Sequence, residues 1–177
     1  HLGGVARRTR EAVALCEAAG FDVVCIETVG VGQSETLVAQ ISDLFVLLLA
    51  PAGGDELQGV KRGIMEMADL IVINKADGDL RPTAIRTVAD YAGALRLLRK
   101  RAHDPEGWPR AMPVSAVDNT GLAEAWDGMQ QLADWRRTAG VFDETRRTQA
   151  VDWMEREIEQ GLRTRLNADS RTRNLLK

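Results

Sequence analysis

Cysteine is scarce here, two in 177 residues, and Cys16 and Cys25 have neither a metal-ligand nor a redox spacing. Cys16 follows a helical apolar pattern and Cys25 lies in a strand-like run, so both are expected as core residues of a protein kept in a reducing compartment. Histidine is equally sparse: His1 and His103 are isolated, which offers no zinc or nickel site. No stretch reaches the roughly 18 consecutive apolar residues that span a bilayer, and the opening HLGGVARRTR carries no apolar signal core. A soluble, cytoplasmic protein is expected. Neither sign of charge is in excess: 23 basic against 26 acidic residues, net −3, remove any global electrostatic case for nucleic acid or an anionic membrane. Repeats and low-complexity tracts are absent as well.

What remains is a length suited to one main domain with a substantial core, built from a regular alternation. In residues 5–19 the apolar positions Ala12, Leu15, Cys16 and Ala19 recur at helical spacing, and Gly20 stands where a helix stops. FDVVCIE, residues 21–27, reads as a strand buried on both faces. Residues 34–41 read as helix, 43–51 as strand, 57–68 as helix and 69–77 as strand. A longer helix over 82–101 lays Ile85, Val88, Ala89, Ala92 and Leu95 along one face. AMPVSAV, 111–117, reads as a fourth strand, and 120–136 as a helix burying Leu122, Trp126, Met129 and Ala133. Apolar strands alternating with helices imply a doubly wound, mostly parallel α/β sheet covered on both sides. In such sheets ligands bind beyond the carboxyl ends of the strands, where Glu27, Pro51, Asn74 and Ser115 fall.

After residue 140 the texture becomes highly charged, with a thin apolar stripe at Val151, Met154, Ile158 and Leu162. So narrow a stripe buries a single seam. Residues 141–177 are therefore read as a helical arm for dimerisation or partner contact, following the α/β domain over 1–140. Trp126, Trp135 and Trp153 are expected in packing or at an interface, and Trp108, in DPEGWPR, has no assigned role.

Two motifs carry chemistry. Asn74-Lys75-Ala76-Asp77 directly follows a buried strand. A carboxylate at Asp77 can accept two hydrogen bonds from N1 and the exocyclic amine of guanine, whereas adenine offers the wrong donor pattern. Lys75 can lay its aliphatic stem on the purine face, Asn74 can tie neighbouring loops together, and Ser115-Ala116 follows the next strand. Earlier, ETVG ends a strand with Glu27 and then Gly30. In nucleotide triphosphatases an acid at this place holds magnesium directly or through water, and a following glycine turns its amide toward the γ-phosphate. Loss of that phosphate releases the loop, so the segment can switch.

ETVGVGQSE, PAGGDELQGVKRG and NKAD, in this order and spacing, resemble the methylmalonyl-CoA mutase-associated GTPases of the MeaB/ArgK type, and the likeness runs from Leu2 to the helix holding Trp153-Met154. The resemblance implies a P-loop NTPase fold, GTP/GDP and Mg2+ as ligands, and a homodimer. It also implies a chaperone role: gating adenosylcobalamin delivery to, and protecting, methylmalonyl-CoA mutase or a related acyl-CoA mutase. It makes Glu27 the magnesium-linked switch acid, Gly30 the γ-phosphate sensor, and Asn74, Lys75, Asp77, Ser115 and Ala116 the base site. Asp55, Glu56, Gln58 and Lys61 become an additional switch that relays nucleotide state to the mutase.

One departure stands against these matches. The phosphate-cradling loop G-x-x-x-x-G-K-[ST] is missing, for no Gly-Lys pair occurs anywhere. The expectation is a piece of a longer protein, inactive by itself, because phosphate contacts supply nearly all transition-state stabilisation. Slow turnover is expected even when complete, since Val31 occupies the place after Gly30 where fast-hydrolysing GTPases put a water-orienting glutamine. Two alternatives accompany this reading: a metal-insertion GTPase of the same superfamily, and a non-catalytic interaction module.

Overall fold

The computed structural model describes residues 2–28, 34–51, 62–98, 101 and 104–168. Its elements run α1 (Leu2–Ala18), α2 (Ser34–Ala39), β1 (Val46–Leu49), α3 (Arg62–Met67), β2 (Leu70–Ile73), a 3-10 turn (Gly78–Leu80), α4 (Arg81–Leu97), β3 (Arg110–Pro113), α5 (Leu122–Thr138) and α6 (Val141–Ala168). The strands form one parallel sheet in the order β1-β2-β3, with Val46, Leu70 and Arg110 in register. Parallel neighbours need crossover connections, and here helices supply them. Among the described residues, no helix is long and apolar enough to cross a membrane.

Every residue of β2 is buried, because the strand has neighbours on both edges and helices on both faces. Its side chains alternate between two cores. Ile71 and Ile73 pack with Phe45, Met65, Ala68, Ala84, Tyr91 and Leu95 on the α3/α4 side, while Leu70 and Val72 pack with Val114 and Ala125 of the α5 side. This two-faced burial is the doubly wound architecture that the apolar runs implied.

Three local expectations are corrected. Residues 21–27 are not a strand: they carry no regular secondary structure, and Phe21 and Val23 are 64% and 54% exposed. A β-branched run becomes a strand only when a neighbour takes its amides, and among the described residues none pairs with it. Cys25 is accordingly exposed and Cys16 only half-buried, so neither is a core residue.

The helix faces are also shifted. In α4 the buried positions are Ala84, Thr87, Tyr91 and Leu95, whereas Ile85 is exposed. Tyr91 has the largest surface to remove from water, and the Thr87 hydroxyl donates to the Thr83 carbonyl at 3.0 Å, which makes its burial cheap. In α5 the buried set is Ala125, Gly128 and Leu132, while Leu122 and Trp126 remain exposed. Gly128 leaves a notch that the Arg110 guanidinium fills, and a Cβ there would collide with it. The same guanidinium stacks 4.3 Å from the Trp108 ring centroid. Trp108 itself packs on the β2–α5 core, which gives this tryptophan its role.

Below β2 lies a buried ionic cluster. Asp69 Oδ2 accepts from the Phe45 amide at 2.8 Å, fixing the start of β1 to the start of β2. Its Oδ1 accepts from Arg101 at 2.9 Å and Arg136 at 2.6 Å, and Arg136 also reaches Asp104 at 2.9 Å. Burial pulls the Arg136 guanidinium down, but hydrogen bonds and charge from Asp69, then Asp104, outweigh it and hold the group above the usual arginine range.

The long helix α6 docks by its first half. Arg10 Nη1 of α1 donates to the Gln149 carbonyl at 3.0 Å and its guanidinium lies 5.0 Å from the Trp153 ring. Arg146 forks onto the Asp43 carboxylate at 2.8 and 2.6 Å and reaches Glu17 at 2.7 Å. Chiefly the Asp43 hydrogen bonds raise its pKa, against a smaller loss from burial. The stripe Val151, Met154, Ile158 and Leu162, continued by Leu166, is about half exposed in every member.

Candidate functional site

The loop Asn74–Asp77 leaves the carboxyl end of β2 and is tied to both neighbouring strands. The Asn74 amide donates to the Leu49 carbonyl at 2.8 Å and the Ala76 amide to the Val114 carbonyl at 3.0 Å. These two bonds continue the sheet ladder past its last paired residue, so the loop is held as firmly as a strand. Lys75, between them, has a φ of 61°. That left-handed conformation costs an ordinary side chain about 1–2 kcal/mol, and the hydrogen bonds on either side fix it.

Two side chains then lock this loop to the one after β3. Asn74 Oδ1 accepts from the Lys75 amide at 2.8 Å and from the Ala116 amide at 3.2 Å. Ser115, fully buried, donates its hydroxyl to Asp77 Oδ2 at 2.5 Å and accepts from the Asp118 amide at 3.0 Å. A hydroxyl with its donor and acceptor roles both taken is fixed in orientation. Asp77 is thereby aimed by Ser115, and no hydrogen bond to its Oδ1 arises among the described residues. The Asp77 carbonyl starts the turn into α4 by accepting from Leu80 and Arg81, both at 3.0 Å.

The sequence reading missed the closure of the second loop. Ser115 and Thr120 exchange backbone hydrogen bonds at 2.9 and 3.1 Å, with Asn119 at φ 54° and Gly121 at φ 73° completing the turn. Gly121 also needs the space, because a Cβ would stand 2.6 Å from the Pro113 carbonyl oxygen. The Asn-Thr-Gly turn signal after Ser115-Ala116 was visible.

Thus Asn74, Lys75, Asp77, Ser115 and Ala116 come together at the carboxyl ends of β2 and β3, with Lys75 and Ala116 exposed and Asp77 half-buried. Glu27 is exposed, at the end of the unpaired 21–27 segment. Gly30, Asp55, Glu56, Gln58 and Lys61 lie outside the described residues, as does Val31. Among the described residues no group of three or more His, Cys, Asp or Glu side chains could hold a metal ion.

An aimed, half-buried carboxylate beside an exposed lysine at the carboxyl edge of a parallel sheet can grip a flat ligand that presents two adjacent donors. Fold and loop pair together define the class: an α/β domain of the P-loop NTPase fold. In agreement, a solved crystal structure of an LAO/AO transport system kinase superposes with a TM-score of 0.81 at 39% identity, over 94% of this chain and 53% of that one. The chain belongs to the family described as methylmalonyl Co-A mutase-associated GTPase MeaB, whose profile matches residues 1–171. Similar curated proteins include the mitochondrial methylmalonic aciduria type A homolog of Mus musculus, 53% identical over 154 residues, 86% of this chain and 36% of that protein. The GTPase ArgK of Escherichia coli is 44% identical over 169 residues, 96% of this chain and 50% of that protein. The chain therefore spans about a third to a half of the length of these relatives.

Proposed function

We propose that this chain is the guanine-recognising and signal-relaying part of a GTP-hydrolysing chaperone for an adenosylcobalamin-dependent acyl-CoA mutase, methylmalonyl-CoA mutase or a relative of it. The supporting observation is the hydrogen-bonded set Asn74, Asp77, Ser115 and Ala116, which presents one aimed carboxylate at a strand end. In this reading Asp77 accepts from guanine N1 and its exocyclic amine, Ser115 positions Asp77, the Lys75 stem covers a purine face, and Asn74 with the Ala116 amide holds the two loops in register.

Glu27 holds the magnesium ion that accompanies GTP, directly or through water. A lone exposed carboxylate fits that role, because magnesium keeps several waters and takes its other ligands from phosphate oxygens. The ion supplies charge neutralisation on the phosphates. The Gly30 amide senses the γ-phosphate, and Asp55, Glu56, Gln58 and Lys61 pass the nucleotide state to the mutase, gating cofactor delivery and protecting the enzyme. The apolar stripe of α6 pairs two copies into a homodimer, and the protein works in the cytoplasm.

Hydrolysis is proposed for the full-length protein. The test is GTP turnover by that protein with and without methylmalonyl-CoA mutase. Slow turnover that the mutase accelerates supports the reading; turnover of several per second without a partner, or no guanine nucleotide binding at all, refutes it.

A further inference from the structure

The residues that hold α6 to its own domain lie on one face of the helix. Arg146 forks onto Asp43, Gln149 Nε2 donates to the Ser42 carbonyl at 2.9 Å, the Trp153 ring lies beside the Arg10 guanidinium, and Arg156 donates to Gln40 Oε1 at 2.8 Å. At about 3.6 residues per turn, Val151, Met154, Ile158 and Leu162 fall on the opposite face. Among the described residues this stripe therefore points away from the domain, half exposed along its length.

Beside the stripe is a notch. Gly161 sits among Ile158, Leu162 and Arg165, and a Cβ placed on it would meet no atom within 4 Å. Glycine inside a helix weakens it relative to alanine, so this helix loses stability at a point where it leaves an empty place next to its apolar seam. Charge is also divided along α6. Asp152, Glu155 and Glu159 flank the seam before the notch, whereas residues 160–168 carry Arg163 and Arg165 and no acid. Arg163 pairs with Glu159 at 2.6 Å. Asp152, Glu155 and Arg165 have no ionic partner among the described residues.

In a two-fold pair every contact is reciprocal. Parallel pairing in register would set Glu155 beside Glu155, Glu159 beside Glu159 and Arg165 beside Arg165, an arrangement that like-charge repulsion opposes. Antiparallel pairing centred on Ile158 sets Met154 of one copy level with Leu162 of the other and beside its Gly161, so that a flexible side chain meets the empty place. The same alignment brings Arg163 between Asp152 and Glu155 of the other copy.

We infer that the α6 stripe pairs two copies antiparallel across Ile158, each Met154 seated in the other's Gly161 notch and each Arg163 beside the other's Asp152 and Glu155. This rests on the homodimer reading above and gives that dimer its orientation. The two α/β domains, each docked on the first half of its own α6, then stand at opposite ends of the pair.

The test uses the full-length protein. Sedimentation reports the oligomeric state, and copper-phenanthroline oxidation of Met154→Cys, Leu162→Cys and Ile158→Cys reports orientation, read against the wild type because Cys25 is exposed. The expected result is a dimer in which Ile158→Cys links to itself, while Met154→Cys and Leu162→Cys link only when the two variants are mixed. Self-linkage of Met154→Cys, or no link in the mixture from a protein that sediments as a dimer, overturns the antiparallel arrangement and leaves the homodimer reading standing. Gly161→Leu installs a better helix former, so a merely structural glycine predicts a dimer no weaker than before, whereas filling the notch should raise the dimer dissociation constant on the order of tenfold. An unchanged or tighter dimer overturns the notch. Arg163→Glu should weaken the dimer and Glu155→Arg in the same chain should restore it; without restoration the charge pairing is wrong. A wild type that sediments as a monomer defeats the homodimer reading itself, and this inference with it.

Discussion

Asp77→Asn tests the base site most directly. The substitution is nearly isosteric, and Asn can keep its carbonyl oxygen toward the Ser115 hydroxyl, which now donates to Asp77 Oδ2 at 2.5 Å. Its amide nitrogen then takes the outward position, turning the acceptor for the exocyclic amine into a donor, while the retained carbonyl oxygen can still accept from N1 as an uncharged group. One charge-assisted bond of about 1.5–3 kcal/mol is lost and the other is weakened to a neutral one, so roughly 2–4 kcal/mol is removed. At about 1.4 kcal/mol per decade, GDP should bind on the order of 10–10³-fold more weakly. Xanthine carries an oxygen where guanine carries the amine, so xanthosine diphosphate should gain affinity. Titration calorimetry of the full-length protein with both nucleotides reads the two numbers. If the variant keeps GDP affinity within about twofold and gains nothing for the xanthine nucleotide, Asp77 does not contact the base.

Other perturbations probe the scaffold. Gly121→Ala forces a side chain into φ 73° and toward the Pro113 carbonyl, and should cost about 2 kcal/mol or more, read as a thermal midpoint about 4–8 °C lower; an unchanged midpoint would refute the strain. Asp69→Asn leaves the guanidiniums of Arg136 and the more exposed Arg101 short of charge at a buried carboxylate and should cost about 2–4 kcal/mol in urea unfolding, with a loss below about 1 kcal/mol counting against the cluster as a stabilising unit. Arg146 has its pKa raised in the fold, so its contribution is complete below its unfolded pKa and disappears only above the folded one. The stability gap between wild type and Arg146→Gln should accordingly be equal at about pH 7 and about pH 10, and a gap that closes across that range would show that another group carries it. Met154→Glu on the α6 stripe should abolish the proposed dimer in sedimentation while leaving GDP binding intact; a dimer that survives would place the interface elsewhere.

The parts of this fold that were readable in the sequence are those set by short-range pattern. β1 and β2 fall inside the expected runs and β3 begins one residue ahead of its own, at Arg110; of the three only β2 is buried on both faces, as its unbroken apolar run required, while β1 leaves Val46 and Leu48 exposed, and Asn74 to Asp77 is contiguous. What was not readable depends on partners distant in the chain. Residues 21–27 have strand composition, but composition does not supply a neighbouring edge. The buried faces of α4 and α5 were each displaced because one tyrosine and one glycine notch outweighed the count of aliphatic positions. The ionic cluster was invisible for the same reason: Arg136 meets Asp69 across 67 residues of sequence. The roles of Asp55, Glu56, Gln58 and Lys61 came from resemblance alone.

The bridge from Asn74 Oδ1 to the Ala116 amide has a thermodynamic corollary. Together with the Ser115–Asp77 bond it holds the two loops in one arrangement, so a ligand docking at Asp77 as proposed would find its cradle assembled and little disorder left to remove. Freezing loops at the moment of association usually consumes part of the contact energy. Here that ordering is completed during folding, and in the proposed reading the contacts of a bound base would appear almost undiminished in the affinity.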